Sequence, residues 1–145
     1  MIEGGIVTMQ KLVSVVVCLA VMAGTSWATQ ESEDAAQAVA ETWLKLVDSQ
    51  NYDGSWEQAA ELFKGAVTKE QWQQAASGAR NPLGKLVSRK LKSRQYMEQM
   101  PGAPDGKYVV IQFDAVFENK SSAVETVTPM LDPDGAWRVS GYYIR

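Results

Sequence analysis

The chain offers little for catalysis and more for binding. It has no histidine, and its one cysteine, Cys18, lies in an apolar stretch near the N-terminus. Neither Ser-His-Asp nor Cys-His machinery can therefore be assembled in the body of the chain. The His and Cys ligands of the usual zinc sites are missing for the same reason. No P-loop and no Gly-x-Gly-x-x-Gly segment occurs. No catalytic residue, metal ligand or cofactor is assigned on these grounds.

Three groups of residues remain that could do chemistry. The first is a basic run, Arg80, Lys85, Arg89, Lys90, Lys92 and Arg94, in a chain whose net charge is -3. On an extended strand Lys90, Lys92 and Arg94 share one face. That face reads either as an edge strand protected by charge or as a patch for an anionic partner. Arg89 alternates with them and falls beside Val87 and Leu91, on the inner face. A guanidinium there must find a partner, because an unpaired buried charge is very costly. Asp114 and Glu125 are candidate partners. Arg89 is then either half of a structural ion pair or the polar anchor of an apolar ligand pocket, and it is the candidate ligand-binding residue. The second group is Asp114 with Tyr142, which would suit a small enzyme pairing a carboxylate base with a hydroxyl donor. The third is Asp132-Pro133-Asp134-Gly135, whose start resembles a calcium loop. The later ligands of such a loop do not follow, and a tight hairpin turn accounts for the same residues.

The elements that would position these residues change period along the chain. Before about Gly84 the apolar spacing is helical, and after it the pattern alternates. A first helix is predicted from about Glu31 to Gln50, with Ala35, Val39, Trp43, Leu46 and Val47 on one face and Glu31, Glu33 and Asp34 crowding its start. Ser55 and Gln58 have capping-box spacing and open a second helix, striped by Trp56, Ala59, Ala60 and Phe63 and closed at Gly65. Thr68 and Gln71 repeat the device for a third, through about Ala79, striped by Trp72, Ala75, Ala76 and Ala79. Asn81-Pro82-Leu83-Gly84 is a turn.

Four strands follow, at about Lys85–Met97, Lys107–Glu118, Ala123–Leu131 and Ala136 to the end. Pro129 cannot donate to a ladder, so a bulge, an early strand end or a free edge is expected there. Trp43, Trp56, Trp72 and Trp137 all fall on apolar faces, as core packing requires. Helices followed by strands give an α+β domain, with the helices on one face of a four-stranded antiparallel sheet.

Lys11 precedes an apolar run, Leu12 to Ala23, that is too short for a membrane span of roughly 20 residues and suits a signal-peptide core. Ser26-Trp27-Ala28 presents small residues where a signal peptidase reads, so residues 1–28 are expected to be a leader and residues 29–145 a single domain. Met9 suits a start better than Met1, because residues 1–8 hold Glu3 and no positive charge. Cys18 leaves with the leader, so the remaining chain can form no disulfide. No membrane span and no attraction to nucleic acid is expected after cleavage.

Several segments resemble one family. They are Trp56 through Phe63, Thr68 to Trp72, Arg80-Asn81-Pro82-Leu83-Gly84 with Arg89, Pro104 to Tyr108, and the closing Gly135-Ala136-Trp137-Arg138-Val139-Ser140-Gly141-Tyr142. Together they resemble the bacterial family catalogued as domain of unknown function 4019. The resemblance implies an exported α+β domain of NTF2-like or cystatin-like type, and it implies no activity. The expected role is a non-catalytic envelope domain, periplasmic or secreted, that binds a small molecule or a protein partner. The alternatives are the carboxylate–tyrosine enzyme and a homodimeric interaction module.

Overall fold

The computed structural model describes residues 20–145, with side-chain surroundings from Ser26 onward. The expected leader core and Cys18 lie largely outside the described residues. Four α-helices precede four strands: α1 (Ala20–Asp48), α2 (Tyr52–Glu57), α3 (Glu61–Ala66), α4 (Lys69–Arg80), then β1 (Leu86–Met97), β2 (Tyr108–Phe117), β3 (Lys120–Leu131) and β4 (Trp137–Ile144). The strands form one antiparallel meander in the order β1-β2-β3-β4, and α1 packs across all four. This is the α+β arrangement that the change of period predicts.

The first helix differs from the expectation at its start. It is already formed at Ala20, so Glu33 and Asp34 lie within it, beyond the first turn where a helix dipole acts. Their partner is Arg94 of β1, which reaches Asp34 at 2.6 Å and Glu33 at 3.4 Å. The buried face is also turned by one residue. Ala36, Ala40, Trp43, Leu44 and Val47 are buried while Ala35 is exposed. Small side chains at two successive turns let the helix axis approach the sheet closely.

The second predicted helix is two short ones. Asn51, rather than Ser55, caps α2, its side-chain oxygen accepting from Gly54 N–H. Ser55 is fully buried, donates to the Tyr52 carbonyl at 2.7 Å and accepts from Trp72 Nε1 at 2.9 Å. Its carbonyl accepts from Trp43 Nε1 at 2.8 Å. A buried indole N–H needs an acceptor, and Ser55 serves two of them, which keeps it from capping. At the break Ala60 N–H donates to the Val139 carbonyl and ties the helices to β4. The Thr68–Gln71 capping box of α4 forms as predicted.

The main core is aromatic. Trp43 lies 5.7 Å from Trp72 and 5.5 Å from Tyr142, ring centre to ring centre, and Phe63 meets Trp72 edge-on at 5.1 Å. A smaller cluster of Ala115, Phe117 and Ala123 packs with Leu83, Leu86 and Ile144.

Strand β1 departs from simple alternation. Its register against β2 shifts between Leu86 and Ser88 and again between Leu91 and Ser93. Val87 and Leu91, expected inside, are 64% and 41% exposed. The second shift turns Arg94 inward, opposite Ile111 and away from Lys90 and Lys92. The β3–β4 register shifts between Thr128 and Pro129, the bulge that the proline calls for. Asp132–Gly135 is a hairpin turn. Gly135 N–H donates to the Asp132 carbonyl, and Gly135 has φ 83°, where a side chain is unfavourable.

Candidate functional site

Two arginines, two carboxylates and a tyrosine meet on the inner face of the sheet. Arg89 grips Asp48 with two parallel bonds, Nη1 to Oδ2 at 2.7 Å and Nη2 to Oδ1 at 2.8 Å. Its Nε donates to Glu125 Oε1 at 2.7 Å. Arg80 Nη2 donates to Asp48 Oδ1 at 2.8 Å, and Tyr142 OH donates to Glu125 Oε2 at 2.6 Å. Arg80 also lies over the Phe117 ring, 4.8 Å from its centre. The network thus joins the aromatic core, through Tyr142, to the smaller cluster, through Phe117.

The elements deliver these groups by simple periodicity. Asp48 follows Ala40 and Leu44 at four-residue steps on the buried face of α1, and Arg80 follows Trp72 and Ala76 on that of α4. Arg89 must cross β2 to reach Glu125 on β3, roughly 10 Å at two strand spacings. Its register partner is Ala115, which in turn faces Ala123. Two small residues leave the space that the guanidinium fills.

Electrostatics lock the network in one protonation state. Burial alone would raise the Asp48 carboxyl, but hydrogen bonds and charge from Arg89 and Arg80 outweigh it and hold it below the ordinary carboxylate range. Burial also works against the Arg89 charge, and Asp48 and Glu125 overcome this, pushing its pKa up. Burial, then the charge and hydrogen bond of Glu125, raise the Tyr142 hydroxyl. Each of these shifts moves its group further from titration at neutral pH.

Arg80 is less well served than Arg89. It is 5% exposed, yet its Nε and Nη1 make no hydrogen bond, and Nη1 stands 3.8 Å from Glu125 Oε2. It borders a cleft of about 130 Å³ lined also by Asp48, Gln50, Asn81, Lys85 and Glu118. Gln50 Nε2 and Tyr52 OH both donate to Asn81 Oδ1, at 3.4 and 3.5 Å, the long limit of a hydrogen bond. Gln50 has φ 61°, a left-handed conformation closing α1 where glycine is the usual residue. Gly84 has φ 74°, and a Cβ there would come within 2.8 Å of Glu118, whose Oε2 accepts from Lys85 N–H. A larger groove of about 520 Å³ lies between α1 and β4, lined by Val39, Thr42, Gln58, Trp137 and Arg138 among others.

Arg89 sits inside as expected, without the Val87 and Leu91 grouped with it, and of its two candidate partners it meets Glu125. Asp114 lies on the outer face of β2, 59% exposed, 3.6 Å from Lys92. Strand alternation therefore separates Asp114 from Tyr142, and that pair does not form; the carboxylate beside Tyr142 is Glu125. The three-residue basic face does not form either, since Arg94 points to α1. Asp132 and Asp134 of the hairpin are both held by Arg138, at 2.9 and 2.8 Å. Asp48 was not legible as a site residue, although its four-residue spacing from Leu44 carries the signal. Arg80 extends the Trp72–Ala76 spacing in the same way and is masked by the basic run that follows it.

Fold and site define a small α+β domain organised around a buried ion network. The family is shown as well: residues 39–142 match the model described as "Protein of unknown function (DUF4019)", and the chain belongs to that family. All five network residues lie inside the match. No curated protein and no solved structure matches the chain.

Proposed function

We propose that this chain is an exported, non-catalytic binding domain of the bacterial envelope and that its ligand is a small molecule held in the Arg80 cleft. The observation that carries this is Arg80 itself. A guanidinium so deeply buried with two nitrogens that make no hydrogen bond is expensive to maintain, and the residue borders the cleft. The site is a concavity with a few placed polar groups, the usual form of a ligand site.

A binding role fits the electrostatics better than catalysis. A general acid or base works best with a pKa near the operating pH, and Asp48, Arg89 and Tyr142 are all shifted away from it. Pairing through the β1 edge is disfavoured by its two register shifts and by Lys90 and Lys92. A leader removed after Ala28 is compatible with the burial pattern, because residues 26–35 contribute no buried residue and a chain beginning at Thr29 keeps every buried residue among those described. Among the described residues no helix is long and apolar enough to cross a membrane. The helical layer on one sheet face suits the NTF2-like or cystatin-like layout that the resemblance implies.

The test is a thermal-shift screen of the purified protein against envelope metabolites, glycans, lipids and ions. A ligand at about 100 times its Kd adds roughly 2.7 kcal/mol, which raises the melting temperature by several degrees. Hits should fall in one chemical class and shrink in a Lys85→Glu variant, which changes an exposed residue of the cleft. A flat screen on well-folded protein would contradict the proposal.

A further inference from the structure

We infer that the groove between α1 and β4 is a second binding site, separate from the Arg80 cleft, and that it takes a neutral sugar ring. The groove holds about 520 Å³, within the roughly 300–1,000 Å³ of small-molecule sites. Trp137 is its distinctive member. Trp43, Trp56 and Trp72 each direct the indole N–H to a protein acceptor, the Ser55 carbonyl, the Val67 carbonyl and the Ser55 hydroxyl. Trp137 packs against the same core and lines the groove, yet its N–H has no acceptor among the described residues. That N–H is not one of the buried unpaired atoms, so it reaches solvent.

The other polar groups of the groove both give and accept. The exposed Gln58 side chain makes no hydrogen bond and offers an amide donor and a carbonyl acceptor. The Thr42 hydroxyl directs its proton to the Ala38 carbonyl and keeps its oxygen as an acceptor. Glu57 has one oxygen on Lys69 at 2.6 Å and the other free. Arg138 holds Asp132 and Asp134 through its Nη atoms and keeps Nε free. Both charged residues of the groove are therefore matched within the protein, and the groove asks for no net charge in its ligand. A hydrocarbon chain would cover the Gln58 amide and the Trp137 N–H with nothing to bond them. A peptide strand added along β4 is obstructed, because the Ala60 N–H already occupies the Val139 carbonyl. A sugar ring meets each condition. Its hydroxyls donate and accept, and its C–H face can stack on an indole.

Water competes for every group of an open groove, so the affinity is of roughly millimolar order. That is too weak to lead a thermal screen, and the experiment is a direct NMR titration of the purified protein with cellotriose, maltotriose and N-acetylchitotriose. Sorbitol, which has hydroxyls and no ring, and tetraalanine, a short neutral peptide, are the controls. The expected result is a saturable shift of the Trp137 indole N–H and the Gln58 side-chain amide with at least one of the sugars and with neither control. Trp137→Phe keeps a ring and removes the N–H, and Gln58→Ala removes the amide from an exposed position. Each should weaken binding roughly two- to tenfold, the effect of one lost hydrogen bond. Lys92→Glu, on the outer sheet face, should leave binding unchanged. The inference is overturned if no sugar shifts these signals at concentrations well above millimolar, if sorbitol shifts them equally, or if neither Trp137→Phe nor Gln58→Ala weakens the sugar. Tetraalanine binding in place of the sugars would also overturn it and would make the groove a peptide site.

Discussion

An aspartate at the C-terminal end of a helix faces the negative pole of the helix dipole, an unfavourable place for a carboxylate. Asp48 ends α1 and is held there by the guanidiniums of Arg89 and Arg80. Removing one member of such a buried set leaves the others charged and unmatched. Arg89→Met should therefore lower unfolding free energy by about 3–5 kcal/mol in urea titration. A loss under about 1 kcal/mol would mean that the network contributes no more than an exposed pair. The pH dependence follows from Asp48. Its folded-state pKa is depressed, so its stabilisation is complete above the unfolded value of about 3.9 and is lost as pH falls through the folded one. The denaturation midpoint should drop on acidification below about pH 4, and Asp48→Asn should flatten that limb. At this scale the sequence discloses that Arg89 lies inside, although Val87 and Leu91, grouped with it by alternation, are exposed. Asp48 and Arg80 were less legible, since a charge ending an apolar helical stripe looks like the solvent-facing residue that normally ends one.

The elements themselves follow local rules where local forces decide. The Thr68 capping box, the Asp132–Gly135 hairpin and the four strands appear where the sequence places them, except that β3 begins three residues early, at Lys120. Expectation and structure part where a tertiary contact outbids a local one. Ser55 is taken up by two tryptophans rather than by a cap, and the register shifts of β1 reverse the faces of Val87 and Arg94. Gln50 is a third such place. Its left-handed conformation costs a side-chain-bearing residue about 1–2 kcal/mol, and it sits on the cleft. Gln50→Gly should stabilise the protein by about 0.5–1 kcal/mol, the relief being partly offset by the freer unfolded chain. The same change should weaken ligand binding by removing a donor and loosening Asn81. Higher stability with undiminished binding would show that Gln50 has no part in the site.

For the molecule as a whole, the order of helices then strands sets the class, while strand order and the joining of five elements at one network are long-range facts that periodicity does not encode. Trp27 stands 78% exposed on α1, well before Ala36, the first buried residue among those whose burial is described. That spacing suits a leader removed after Ala28, and N-terminal sequencing of the exported protein should begin near Thr29. An intact leader on the exported form would contradict the cleavage.

The central claim, that the Arg80 cleft is the binding site, is tested most directly by mapping amide and arginine Nε–H NMR shifts during titration with the strongest hit from the thermal screen. The account predicts saturable changes concentrated at Gln50, Asn81, Lys85 and the Arg80 Nε–H. Changes confined to Gln58, Trp137 and Arg138 would place the ligand in the groove between α1 and β4 and contradict it.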